Sequence, residues 1–207
     1  MSVALVIFDM DGTLVNSSIT IANAINYVRK QLGFEPMSVE KILKNVNNPA
    51  LNPASFFYHT STFDKDHERW FSEYYTKHHE EELVLYDGVE ALLKRLKSEG
   101  KKLAIATNAY RQSTIETLSH LNILSYFDAI ACYDDVPKGK PSPDMLLKIL
   151  DTLKIEKEKA IFVGDGERDA LASKNAGIAY LMVDWGFSEY TSAISSVKSL
   201  EEILLKA

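Results

Sequence analysis

Apolar runs punctuate the chain at places where the next residues are short and polar. Val3 to Phe8 is continuous and leads into Asp9-Met10-Asp11-Gly12-Thr13. Leu103 to Ala106 leads into Thr107-Asn108, and Ala160 to Val163 leads into Gly164-Asp165. Ile178 to Val183 repeats the pattern, and Ala129 to Cys132 is a weaker member. Uninterrupted runs of this length suit strands buried on both faces, as in a parallel sheet. Helical periodicity lies between them. Gly88 to Glu99 carries apolar residues at 89, 92, 93 and 96, with Asp87 as a candidate N-cap and Gly100 as the stop. Ser142 to Leu153 and Glu167 to Ala176 also read as helices, and Tyr110-Arg111 opens another helical pattern. Strands alternating with helices predict right-handed βαβ units and an α/β fold: a doubly wound, Rossmann-like, mostly parallel sheet. Polar residues at several strand ends then converge where such sheets bind ligands.

Residues 16–84 break the alternation. They contain no convincing buried strand, but amphipathic segments fall around 17–32, 38–45 and 65–82, with breaks at Asn47-Asn48-Pro49 and Asn52-Pro53. The expected organisation is a core of residues 1–15 and 85–207, with 16–84 as a helical cap domain covering the carboxyl edge of the sheet. A helical subdomain with no contact with the site is the alternative.

Composition narrows the possible partners. The 207 residues are 46% hydrophobic, enough for a substantial core. A net charge of -6 shows nothing of the basic footprint of a nucleic-acid binder, so no nucleic acid polymer is expected as a partner. An acidic protein handling an anion needs local positive charge, from a divalent metal, fixed lysines or backbone amides. Cys132 is the only cysteine, which excludes an intrachain disulfide and a cysteine-rich zinc site. The N-terminal run lacks a basic leader, and no stretch approaches the ~20 apolar residues that span a bilayer. A cytoplasmic location without membrane attachment is expected, and oligomeric state is not readable.

The residues after the strands carry the candidate chemistry. Asp9 and Asp11, spaced i and i+2 at a strand end, can both reach one pocket as the chain turns at Gly12. Such a pair suits phosphoryl transfer: one ionised oxygen faces phosphorus, and the other carboxyl hands a proton to the leaving oxygen. Magnesium, which prefers hard oxygen ligands, would relieve the repulsion between them. A solvated acidic turn is the plainer alternative. Thr107 could donate to a phosphoryl oxygen, with Asn108 orienting nucleophile or substrate, or Thr107 could simply cap a helix. In Lys138-Gly139-Lys140-Pro141-Ser142-Pro143-Asp144 either lysine could neutralise phosphate or be merely solvated. Asp165 and Asp169, four apart at a strand-to-helix junction, could share a face or compensate the helix dipole.

Together these segments resemble the motifs of the haloacid dehalogenase superfamily, in order. Phe8-Asp9-Met10-Asp11-Gly12-Thr13-Leu14-Val15 resembles its motif I, and the helical insertion resembles the cap of its phosphoglycolate-phosphatase-like branch. The resemblance implies a magnesium-dependent phosphatase. In it Asp9 attacks phosphorus, Asp11 is the general acid/base, Thr107 binds phosphate, and Lys140 rather than Lys138 bridges nucleophile and phosphate. It implies a metal held by the Asp9 side chain, the Asp11 backbone carbonyl and Asp165, with Asp169 reaching it through water or holding Lys140. Gly166 stands where the family often has Ser or Thr, and Asn16 where the branch often has Asp. The implied substrate is a small phosphorylated metabolite such as phosphoglycolate, a sugar phosphate or a nucleotide. A phosphomutase using the same nucleophile and a phospho-accepting signalling domain without turnover remain alternatives. Dehalogenation is disfavoured because that chemistry has no leaving alkoxide for Asp11 to protonate.

Overall fold

The computed structural model describes residues 3–46, 48, 50–185 and 192–207. The chain divides into two compact units, Met1–Asn16 with Val84–Ala207, and Ser17–Leu83. In chain order the elements are β1 (Leu5–Phe8), β2 (Val15–Asn16), α1 (Ser18–Gln31), α2 (Val39–Val46), α3 (Pro53–Tyr58), α4 (Lys65–Glu82), β3 (Val84–Leu85) and α5 (Val89–Ser98). They continue with β4 (Lys102–Ala106), α6 (Arg111–His120), β5 (Ala129–Ala131), α7 (Asp144–Leu153), β6 (Ala160–Gly164), α8 (Glu167–Ala176), β7 (Ala179–Met182) and α9 (Val197–Lys206). No helix among the described residues is long and apolar enough to cross a membrane.

The first unit is built on a five-stranded sheet of order β5-β4-β1-β6-β7, and every pair in it is parallel. All five apolar runs therefore became strands of one sheet. Leu5 and Ile7 of β1 join Ala104, Phe162 and the Met145-Leu146-Ile149 face of α7 in one core cluster. Val6 and Phe8, pointing the other way, are also fully buried. Burying each large apolar side chain contributes about 1.5–3 kcal/mol, which anchors the central strand. The strand order reverses on either side of β1, so the carboxyl ends of β1, β4 and β6 meet at a topological switch point. A short antiparallel ribbon of β2 and β3 pairs Val15 with Leu85 and Asn16 with Val84.

The second unit is helical. Ala22, Ile25 and Val28 of α1 pack with Ile42, Phe57 and Tyr58 from α2 and α3. Asn52-Pro53 begins α3 instead of breaking the chain: the Asn52 side chain accepts from the Ser55 amide, and Pro53 occupies the first turn, where a missing N–H costs nothing. Of the other expected break, Asn47 and Pro49 lie outside the described residues. Two further details differ from expectation. Gly88, with φ of 86°, is the N-cap of α5 in place of Asp87, and α9 follows a Ser196 cap that periodicity did not single out.

Asp128 locks the edge of the sheet that carries Thr107. Its carboxylate accepts from Lys97 Nζ (2.8 Å), Lys102 Nζ (2.9 Å) and the Leu103 amide (2.9 Å). Burial alone would raise its pKa, but these donors outweigh it and hold the group down at about 2, against an ordinary 3.8. A depressed folded-state pKa means stabilisation that is complete above the unfolded value and lost as pH falls through the folded one. Asp128→Asn is therefore expected to cost about 1–2 kcal/mol at neutral pH. In denaturant titrations the gap from wild type should close as pH falls from about 4 towards 2. A gap independent of pH in that window would show that the charge is not the cause.

Candidate active site

Asp9 is the first residue beyond β1, and its amide donates to Val163 O of β6, so its position is set by the sheet itself. It is only 6% exposed. Lys140 Nζ reaches Asp9 Oδ1 at 2.5 Å and Asp169 Oδ1 at 2.6 Å, which makes a buried cation bridged between two buried carboxylates. The Phe162 ring lies 5.4 Å from the same ammonium and forms an apolar floor beneath it. Asp165 completes the group: one carboxylate oxygen from each of Asp9, Asp165 and Asp169 lies within 4.8 Å of the others.

Two glycines make this crowding possible. A side chain on Gly12, whose φ is +83°, would fall inside the Asp165 carboxylate. One on Gly164 would lie 2.7 Å from the Asp169 carboxyl carbon. Both positions let backbone approach an acidic group at a distance no Cβ allows.

The electrostatics follow from the arrangement. Burial pushes the Asp9 carboxyl up to about 7; Lys140 opposes that rise, and the charges of Asp169 and, less strongly, Asp11 add to it. Asp165 is also raised well above the ordinary carboxylate value, first by burial and then by Asp9 and Asp169. For Lys140 burial works to lower the pKa, but Asp169 and Asp9 outweigh it and keep the ammonium charged. One cation thus faces more negative charge than it can neutralise. A hard divalent cation fits such a set of oxygen donors.

The remaining candidates lie around this centre. Thr107 is buried at the end of β4, beside β1 in the sheet, and its hydroxyl accepts from the Ala109 amide at 3.0 Å. It does not cap α6, whose N-cap is Tyr110. The Asn108 carboxamide is bound to the main chain of Lys140 in both directions, donating to its carbonyl (3.0 Å) and accepting from its amide (2.8 Å). Asn108 therefore clamps the lysine loop, a geometry that the position after a strand could not reveal. Asp11 sits in the turn after β1 and bridges to Val15. Trp185, whose Nε1 donates to Thr13 O at 3.0 Å, and Tyr86, whose ring centroid lies 5.7 Å from that of Trp185, also hold this turn. No spacing pattern marked either, because both come from distant loops.

Comparison with known proteins identifies the family. The haloacid dehalogenase-like hydrolase family matches residues 6–183. A phosphoglycolate phosphatase of Aquifex aeolicus is 34% identical over 91% of this chain and 88% of its own length. The pyrophosphatase PpaX of Halalkalibacterium halodurans is 31% identical over 89% and 85%. Among solved structures, a predicted phosphatase from Clostridium acetobutylicum superposes with a TM-score of 0.87 at 25% identity, covering 100% of both chains. A haloacid dehalogenase-like hydrolase from Streptococcus pneumoniae superposes with a TM-score of 0.81 at 28% identity, covering 99% of both. With the match running through the buried acidic centre, the chain belongs to the haloacid dehalogenase-like hydrolases and is an enzyme.

Proposed function

We propose that this hydrolase is a magnesium-dependent phosphatase acting on a small phosphate ester through an aspartyl-phosphate on Asp9. The observation that carries the reading is the Asp9–Lys140–Asp169 bridge with Asp165 beside it, at the point where β1 and β6 end. Phosphoglycolate heads the ester candidates, and pyrophosphate, an anhydride rather than an ester, is the rival substrate, because relatives bear those activities in their names. Sugar phosphates and nucleoside monophosphates follow.

In the proposed reaction an oxygen of Asp9 forms a bond to phosphorus in line as the bond to the leaving oxygen breaks. Asp11 hands its proton to that oxygen. Asp11, now a carboxylate, then takes a proton from water, which attacks the phosphorus and returns free Asp9 and phosphate. Lys140 and the Thr107 hydroxyl stabilise the equatorial oxygens, where most of the rate enhancement of phosphoryl transfer arises. Asn108 holds the Lys140 loop and offers its remaining amide hydrogen to phosphate. The side chains of Asp9 and Asp165 and the main-chain carbonyl of Asp11 would hold the magnesium ion, with Asp169 reaching it through water. When bound, the ion supplies charge neutralisation that the single lysine cannot. The role of residues 16–84 as a substrate-selecting cap belongs to the same proposal.

A phosphate-release screen over phosphoglycolate, pyrophosphate, sugar phosphates and AMP, with and without magnesium, tests the reading. Asp9→Asn should lower the rate by about 10³-fold or more, since it removes the covalent route. Turnover by this variant equal to wild type would end the mechanism. A sugar phosphate isomer formed with little free phosphate would indicate a mutase instead.

The metal assignment has a readout independent of turnover. A carboxyl whose folded pKa is raised stabilises the fold below its unfolded value, and that stabilisation is lost as pH rises through the folded one, about 7 for Asp9. Magnesium competes with those protons. Millimolar MgCl2 should therefore raise Tm by about 3–6 °C near pH 8 and by much less near pH 5.5. Asp165→Asn should raise Tm without metal near pH 8 and remove most of the magnesium shift. An equal magnesium shift at both pH values, or one retained in Asp165→Asn, would place the ion elsewhere.

A further inference from the structure

The turn that carries Asp11 is held from outside as well as from within. Met10 O accepts from Leu14 and Val15 amides at 3.0 Å each, and Gly12 N donates to Val15 O at 2.9 Å. These bonds close a tight loop but leave the carbonyls of Thr13 and Leu14 pointing out of it. Trp185 Nε1 donates to the first at 3.0 Å, and the Tyr86 amide donates to the second at 3.1 Å. The two aromatic rings then pack on each other with centroids 5.7 Å apart. The Gly12 backbone of this turn lies against the Asp165 carboxylate, so the brace adjoins the acidic centre. Trp185 is 172 residues from Thr13 in the chain, so the contact is purely tertiary.

We propose that Trp185 is a positioning residue for Asp11: the indole N–H, bound to the Thr13 carbonyl, fixes the orientation of the turn that aims the Asp11 carboxyl at the leaving-group oxygen. Gly12, between Asp11 and Thr13, has a left-handed φ of +83° and no side chain to restrain it. Rotation there would swing Asp11 while leaving Asp9 on its strand. Holding the carbonyl on the far side of the glycine removes that freedom. The role rests on the phosphatase reading above, in which Asp11 protonates the leaving group as the phosphorus–oxygen bond breaks and the bond to Asp9 forms.

That dependence on protonation supplies the test. An alkoxide needs a proton to leave, whereas p-nitrophenolate leaves without one, and kcat/KM reports only steps up to transfer onto Asp9. The quantity measured is the ratio of kcat/KM for the fastest alkyl ester in the screen to kcat/KM for p-nitrophenyl phosphate. Trp185→Phe, which removes the donor and keeps an aromatic ring, should lower that ratio about tenfold, part of the 10²–10⁴-fold that a general acid supplies. Incorporation of benzothienylalanine at position 185, which replaces only the N–H by sulfur, should do the same and preserves the shape if Trp185→Phe folds poorly. A purely structural role would lower both esters together and leave the ratio unchanged, and that result in the benzothienyl variant overturns the proposal. A wild-type protein that cleaves the aryl ester but no alkyl ester overturns it too. Failure of wild type on both esters with pyrophosphate still cleaved overturns this role alone, whereas failure on the esters and pyrophosphate alike sinks the phosphatase reading and this role with it.

Discussion

A lysine ammonium held between two carboxylates, out of reach of water, governs the rest of this molecule. Lys140 lies within 2.6 Å of an oxygen on Asp169 and 2.5 Å of one on Asp9. Removing charges from water is costly, and the attraction between them repays that cost only when geometry is good and every charge is matched. Here the geometry is good and the matching is incomplete. Asp165 brings another carboxylate to the group, and both it and Asp9 are driven towards their protonated forms. The folded chain therefore maintains a site short of positive charge, and a phosphate dianion would deepen the shortage. A divalent cation would resolve that conflict, so in the proposed reaction metal binding and substrate binding answer one electrostatic requirement.

Such a cluster persists only because the scaffold beneath it is rigid. The β1 strand is buried on both faces and paired to β4 and β6, so Asp9 cannot retreat to solvent without breaking the centre of the sheet. Asn108 fixes Lys140 through its main chain, which leaves the long side chain little choice of direction. Gly12 and Gly164 let two carboxylates approach backbone that any larger residue would push away. Asp11 differs from its neighbours in standing on a turn, where orientation depends on bonds made by distant side chains. Asp9 is thus set by the sheet and Asp11 by a braced loop, a contrast that suits the different tasks proposed for them. In the proposed reaction the first would meet one atom in one direction, and the second would serve a leaving group and then a water.

Much of this was legible from the chain alone. Runs such as Leu103 to Ala106 admit little but a buried strand, because their apolar faces need cover on both sides. Thr107 reads in the chain as either a phosphate ligand or a helix cap, and the N-cap of α6 is Tyr110. Asn52-Pro53 reads as a break between helical segments, and the structure makes that break the capped start of α3, because an N-cap residue and a chain-interrupting pair share the same letters. Gly88 displaced Asp87 as a cap because a left-handed turn was needed there.

The sequence by itself determined the alternating architecture, the order of the acidic and basic segments, and the membership they imply, since hydrophobic period and residue chemistry are local properties. Tertiary structure alone decided which lysine lies between which carboxylates, that Asn108 serves the Lys140 main chain, and that Trp185 braces the Asp11 turn. Each of these is a contact between residues far apart in the chain, created by strand order and side-chain packing, and no local pattern encodes the distance across which it forms.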